Sequence, residues 1–212
     1  MHLDRIDILG CSVLGIFARA SDKYCIVTEI AKKGVFDSIH EALEVPVIGK
    51  SVMNTNFVGL FLAGNSRSVV VPEFVGEVKV DFPVSSIKSN YTCFGNLILC
   101  NDSGALVSPL LKKQVSEIAE ALGVRTEVGT IANLPTVGSC GLATNKGCLV
   151  HPEVNKSEAE LIEKILGVKV DRGTLDCGSP YVGACAIANS KGALVGSLTT
   201  PPEVVRLEET LG

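Results

Sequence analysis

The sequence predicts an α/β fold of five repeated units arranged as a ring, and three observations lead there. First, a polar turn followed by a short apolar run recurs along the chain. It reads Asn101-Asp102-Ser103-Gly104-Ala105-Leu106-Val107, Asn145-Lys146-Gly147-Cys148-Leu149-Val150 and Asn189-Ser190-Lys191-Gly192-Ala193-Leu194-Val195, with Asn65-Ser66-Arg67-Ser68-Val69-Val70-Val71 and a weaker Ser21-Asp22-Lys23-Tyr24-Cys25-Ile26-Val27 upstream. Second, the turn residues Ser21, Asn65, Asn101, Asn145 and Asn189 stand 44, 36, 44 and 44 residues apart. Third, a small residue precedes each turn by 6 positions: Gly15, Gly59, Gly95, Ser139 and Gly183, the exception Ser139 following Gly138. A further anchor 16 positions upstream, at Gly49, Gly129 and Gly173, appears in three copies. Self-similarity at a fixed period marks a repeat architecture, so the repeat has to be read before any single element.

Each unit reads as strand, strand, strand, helix. The first copy has strands over Ile6–Val13 and Leu14–Ala20, a turn at Ser21-Asp22-Lys23, and a helix over Asp37–Glu44 with Phe36, Ile39 and Leu43 inward. Pro46 ends that helix, because the residue before a proline is pushed out of the helical region. The second copy has strands over Val47–Lys50, Phe57–Ala63 and Ser68–Val71, and lacks eight residues where its helix should be, leaving a short stretch, Glu73–Val80, interrupted by Gly76.

The third copy has strands over Val84–Lys88, Thr92–Cys100 and Ala105–Val107. Its helix opens with Ser108 as cap and Pro109 in the first turn, both favoured there, and carries the stripe Leu111, Val115, Ile118, Ala119, Leu122 up to Gly123. The fourth has strands over Val124–Val128, Val137–Ala143 and Cys148–Val150, joined at Asn145-Lys146-Gly147, whose residue types tolerate the positive φ of tight hairpins. Its helix is capped by Asn155 or Ser157 with Glu158 or Glu160 as reciprocal partner, buries Leu161, Ile162, Ile165 and Leu166, and stops at Gly167. The fifth has strands over Lys169–Thr174, Tyr181–Ala188 and Ala193–Val195, then a Thr200–Glu203 capping box and a helix with Val204, Leu207 and Leu211 inward.

No such unit can bury its helix stripe alone, so neighbours must share a core. An open solenoid and a closed ring both satisfy that requirement. Neither end of the chain shows a polar capping repeat, which favours closure into one domain over residues 1–212. A ring also removes exposed sheet edges and needs no second copy, so a monomer is expected.

Composition narrows the function. The chain is 46% apolar and 20% charged, an ordinary globular balance, and has no apolar run long enough to span a membrane. Met1-His2-Leu3-Asp4-Arg5 lacks the basic and apolar regions of a signal peptide, so a cytoplasmic location is expected. The eight cysteines lie mostly inside apolar strand-like runs, with no metal-binding spacing and no clustered histidine, and read as buried reduced thiols. No metal or other cofactor is expected. A net charge of −4 makes phosphate-dominated attachment to nucleic acid unfavourable, so any RNA contact should be local.

The stretches Gly15-Ile16-Phe17-Ala18, Val58-Gly59, Phe94-Gly95-Asn96, Cys100-Asn101-Asp102, Val137-Gly138-Ser139 and Gly147-Cys148-Leu149-Val150-His151-Pro152 resemble the translation initiation factor 6 family of archaea and eukaryotes, along the whole chain. Without a long tail after Leu211, the chain is similar to the archaeal form. The resemblance implies the pentein fold, a five-bladed α/β propeller with pseudo-fivefold symmetry. It also implies a non-enzymatic role: binding the large ribosomal subunit on the face that meets the small subunit, so that the two cannot associate. The partners implied are the universal large-subunit ribosomal protein 14, a neighbouring ribosomal protein and the sarcin–ricin loop of the large rRNA.

In that family the residue after each second-strand glycine lies on the rim that faces the ribosome. Carried over position by position, the ribosome-binding residues are Ile16, Leu60, Asn96, Cys140 and Ala184. The competing reading is an amidine-modifying enzyme on the same fold, of the deiminase or amidinotransferase type, which needs a cysteine thiolate beside a histidine in the central mouth. Only His2, His40 and His151 are available here. His151 falls where the third copy has the capping Ser108, which points to a capping role rather than catalysis.

Overall fold

The computed structural model describes residues 1–212. It contains five three-stranded sheets, each a blade. Blade one is β2 (Ala18–Ala20), β3 (Cys25–Thr28) and β4 (Val47–Lys50); blade two is β5 (Ala63–Gly64), β6 (Val69–Pro72) and β7 (Val84–Ile87). Blade three is β8 (Ile98–Cys100), β9 (Gly104–Val107) and β10 (Arg125–Val128); blade four is β11 (Gly141–Ala143), β12 (Gly147–Val150) and β13 (Lys169–Arg172). Blade five is β14 (Ala186–Ala188), β15 (Gly192–Gly196) and the N-terminal strand β1 (His2–Ile6). In every blade the inner and middle strands form an antiparallel hairpin and the outer strand runs parallel to the middle one.

The inner strands β2, β5, β8, β11 and β14 touch in cyclic order around one axis, so the ring is closed. This is the five-bladed pentein architecture. One expectation is corrected here: the first strand of each predicted copy pairs with the preceding blade, so the repeat as read along the chain straddles two sheets. Residues 2–6, not the predicted Ile6–Val13, form the first strand, and their partner is β15 at the far end of the chain.

Four blades carry an outer helix: α1 (Lys33–Leu43), α2 (Val115–Leu122, after a 3-10 stretch Pro109–Gln114), α3 (Lys156–Leu166) and α4 (Pro201–Leu211). Of the predicted stripe positions, Ile39, Leu43, Leu111, Ile118, Leu122, Ile162, Ile165, Leu166, Leu207 and Leu211 are buried, while Phe36, Val115, Ala119, Leu161 and Val204 are half-buried. Burying each such side chain contributes roughly 1.5–3 kcal/mol. The predicted Asn155–Glu158 and Thr200–Glu203 capping boxes are present, and Gly123 (φ 64°) and Gly167 (φ 67°) close their helices in the left-handed conformation. The first helix begins four residues earlier than its predicted start, Asp37; no side chain caps it, and half-buried Val35 and Phe36 pack against the first core. Blade two has no outer helix, only a 3-10 turn over Glu73–Val75.

The second strands are also corrected. Each predicted second strand begins as one helical turn, over Leu14–Ile16, Val58–Phe61, Phe94–Leu97, Val137–Cys140 and Val182–Cys185, before turning into the inner strand. The cause is a ring of five glycines, Gly15, Gly59, Gly95, Gly138 and Gly183, packed backbone to backbone around the axis. A Cβ on any of them would strike the carbonyl oxygen of the glycine in the preceding blade, Gly15 meeting that of Gly183. The fourth member is Gly138, so the turn residue equivalent to Ser21, Asn65, Asn101 and Asn189 is Thr144 rather than Asn145.

The turns do not use positive φ, since none of their residues is left-handed. Instead the side-chain oxygen of Asn101 accepts from the N–H groups of Ser103 (2.9 Å) and Gly104 (3.1 Å), while its amide donates to Thr144 O (3.0 Å) and to Leu166 O at the end of α3 (2.9 Å). Asn65 and Asn189 do the same for the ends of α2 and α1. One side chain thus shapes its own turn and ties it to the next blade.

Candidate functional site

The five helical turns gather at one end of the axis. Middle and outer strands run parallel toward that end, so the connections that leave them lie on the same face. The residues directly after the ring glycines are Ile16, Leu60, Asn96, Ser139 and Ala184; all are half-buried and all line one shallow depression there. Ile16, Leu60, Asn96 and Ala184 are therefore brought together. Cys140 is not: it is buried in the core of blade four, and Ser139 occupies the fifth position. The shift follows from the turn register, because the fourth turn is built on Thr144.

A wider apolar ring surrounds this depression. Leu9, Ile30, Met53, Phe57, Phe74, Tyr91, Leu110, Tyr181 and Leu198 lie in the connections at this end, and they are nine of the ten large exposed hydrophobic residues in the protein. The tenth, Val205, is on the outside of α4. Four of them, Ile30, Phe74, Leu110 and Leu198, hold one structural position, three residues beyond equivalent strand positions Val27, Val71, Val107 and Val195. That repetition was readable from the aligned repeats, although the expected site stopped at the central five residues. Apolar surface concentrated on one face of a single chain marks a docking surface.

Left-handed turns frame the face. Leu9 and Gly10, Met53 and Asn54, Ala132 and Asn133, and Asp176 and Cys177 all have positive φ, between 53° and 76°. Two of these turns are held by buried carboxylates. Glu158 accepts from Thr130 Oγ1 (2.6 Å) and from the N–H groups of Ala132 (2.9 Å), Asn133 (2.9 Å) and its cap Asn155 (3.0 Å). Glu203 accepts from Thr174 Oγ1 (2.8 Å) and from the N–H groups of Cys177 (3.3 Å), Gly178 (2.8 Å) and Thr200 (2.8 Å). Burial opposes the charge on each carboxyl, but these hydrogen bonds outweigh it and hold both below the usual carboxylate range.

Beneath the face, the axial channel holds one charge. Arg19 stands where the other blades have Ala63, Leu99, Leu142 and Ile187. It donates to the carbonyls of Leu62 (3.2 Å), Gly59 (3.2 Å) and Gly95 (3.0 Å). No carboxylate pairs with it, so the ring glycines' own carbonyls carry the neutralising dipole.

The expectation of buried thiols holds for Cys25, Cys140, Cys148 and Cys185, whereas Cys11, Cys93 and Cys100 are half-buried and Cys177 is exposed. Burial pushes the Cys25 thiol up to about 12 and Cys100 up to about 11, and it raises Cys140 and Cys185 as well. A raised thiol is the reverse of an activated nucleophile. The Nδ1 of His151 is engaged as an acceptor for Glu153 N–H (3.1 Å), a capping role. No three His, Cys, Asp or Glu side chains converge to hold a metal ion, and no helix is long and apolar enough to cross a membrane.

The model of the eIF-6 family matches residues 3–210. A relative named translation initiation factor 6, from Pyrococcus horikoshii, is 43% identical, the match covering 100% of this chain and 99% of the relative. Proteins of the same name from Methanosarcina acetivorans and Methanocaldococcus jannaschii are 39% and 38% identical, covering 98% and 96% of this chain and 97% and 95% of their own.

Proposed function

The chain belongs to the eIF-6 family of translation initiation factors, and from that premise we propose that its apolar face binds the large ribosomal subunit and, by occupying that surface, keeps the small subunit away. The observation that carries this reading is the gathering of nine of the ten large exposed hydrophobic residues on one face, around the depression of Ile16, Leu60, Asn96, Ser139 and Ala184. An apolar centre is common in protein–protein interfaces, which suits a contact led by a ribosomal protein; the family resemblance makes that partner the universal large-subunit protein 14. A neighbouring ribosomal protein and the sarcin–ricin loop lie at its edge. The net charge of −4 fits this order, since it disfavours attachment led by phosphates. The protein acts as a monomer in the cytoplasm, by steric exclusion and without turnover.

Sedimentation of purified archaeal ribosomal subunits with and without the protein tests this. Saturating protein should move with the large subunit and abolish joining; subunits that join normally in its presence would refute the reading. Asn96→Arg places a long cation in the depression and should weaken co-sedimentation about tenfold or more. Its thermal unfolding should be unchanged, since Asn96 is only half-buried.

A further inference from the structure

The ring encloses a channel on its axis, and one side chain in it keeps unused donors. The channel has a volume of about 30 Å³ and is walled by the inner strands, Ala20, Gly64, Cys100, Ala143 and Ala188 among them. Arg19 is the only charged residue on that wall. Its guanidinium lies directly under the glycine ring, where a Cβ on Gly95 would stand 2.9 Å from Nη2. An arginine has five N–H donors. Nε donates to Leu62 O and Nη2 to Gly59 O and Gly95 O, which leaves both donors of Nη1. Nη1 bonds to no protein group, yet it keeps accessible surface, and the channel is the open space that Arg19 lines. The charge is uncompensated as well. Carbonyl dipoles lower the cost of burying a cation but bring no negative charge. Burial pushes the Arg19 pKa below the usual arginine range, and no carboxylate is among the groups that oppose the shift. Cys100, on the same wall, donates its thiol to Gly64 O (3.1 Å), and burial pushes its pKa up to about 11. At the turn end of the axis, Asp22 and Asp102 are held by Asn145 Nδ2 (2.8 and 2.7 Å) and by the N–H groups of Ser190 and Ser66 (2.7 Å each). Neither bonds to Arg19.

We propose that the axial channel binds one monatomic anion, a halide such as chloride, against Nη1 of Arg19. Size selects the ligand, because a space of this volume takes one or two atoms of water size and is too small for phosphate, sulfate or a carboxylate. Charge selects it again: a water molecule can accept from Nη1 but leaves the cation unpaired. Bound there, the anion holds the Arg19 side chain against the carbonyls of Gly59 and Gly95, and so braces the glycine ring from below. The site is inside the ring, so it stands whether or not the outer face binds a ribosomal subunit.

Two measurements on the full chain test this. Thermal unfolding is followed as sodium chloride or bromide replaces sodium gluconate, an anion too large for the channel, at constant ionic strength. Crystals grown in bromide are measured at the bromine absorption edge. Halide should raise the unfolding midpoint saturably, by about 3 °C or more over gluconate. One anomalous peak should lie on the axis beside Arg19 Nη1. Arg19→Met keeps an unbranched side chain without the charge and should lose the halide effect; if that variant does not fold, the bromide peak still decides. No halide effect on the midpoint, an effect of equal size in Arg19→Met, or a channel that holds only water would each overturn the proposal. So would a bromide peak without any effect on unfolding, which would make it an adventitious ion only.

Discussion

Two halves of the docking face are held in different ways. At the mouths of blades four and five, the turns through Ala132-Asn133 and Asp176-Cys177 are gripped by Glu158 and Glu203, each a helix-capping residue whose carboxylate also reaches the neighbouring loop. At the mouths of blades one and two, the turns through Leu9-Gly10 and Met53-Asn54 have the same left-handed backbone but no carboxylate partner. They close on local bonds alone: the reciprocal backbone bonds of Ile8 with Cys11 and of Val52 with Thr55, the second turn adding Thr55 Oγ1 donating to Val52 O (2.9 Å). The reason lies in the next helix along: α1 opens on Lys33-Gly34-Val35, with no acid, and blade two has no helix at all. An identical loop conformation can thus be secured by a tertiary clasp or left to local bonds, and which occurs depends on a single residue at a helix start.

The comparison breaks most visibly at Glu158. Glu158→Ala should cost about 3 kcal/mol in urea unfolding, because it removes charge-assisted hydrogen bonds and leaves donors of the 130–133 loop unpaired. If the loss were no larger than for an exposed surface mutation, the clasp would be idle. Acid sharpens the same contrast. Glu158 and Glu203 have carboxyls held below their usual range, so their stabilisation is complete above the unfolded carboxyl pKa of about 4.5 and disappears as pH falls through the lower folded values. Hydrogen exchange between pH 7 and pH 3 should therefore speed up at residues 130–133 and 174–178 beyond its intrinsic change, with less extra effect at 8–11 and 52–55. The smallest effect is constructive: Val35→Glu puts an acid at the third position of α1, where the other two helices have theirs. It should slow exchange at Leu9-Gly10, while the lost packing of half-buried Val35 keeps global stability within about 1 kcal/mol of the parent.

What could be read from the chain was local or periodic. Five copies, the outer stripes, the Asn155–Glu158 and Thr200–Glu203 boxes and the missing helix of blade two all depend on residues within one turn or one repeat. What could not be read depends on neighbours distant in sequence. The helical turns at the glycine ring look like strands in sequence, because their glycines are selected by a carbonyl in the preceding blade rather than by any turn of their own. Thr144 hides the fourth turn, since a threonine hydroxyl accepts there the two turn N–H groups that asparagine accepts elsewhere, and adjacent Asn145 drew the register one residue too far; Cys140 followed it into the core. The second duty of Glu158 and Glu203, gripping a loop some 25 residues upstream, has no signature beyond the capping box itself.

The pairing of β1 with β15 means that residues 2–6 find their sheet neighbours only after residues 192–196 have been made. Until then β1 and β14 have no strand between them, and until residue 183 is made Gly15 has no Gly183 to rest on. A prematurely ended product could assemble several blades and still offer no complete face. The closed ring is thereby a property of all five blades together, and no shorter run of them completes it.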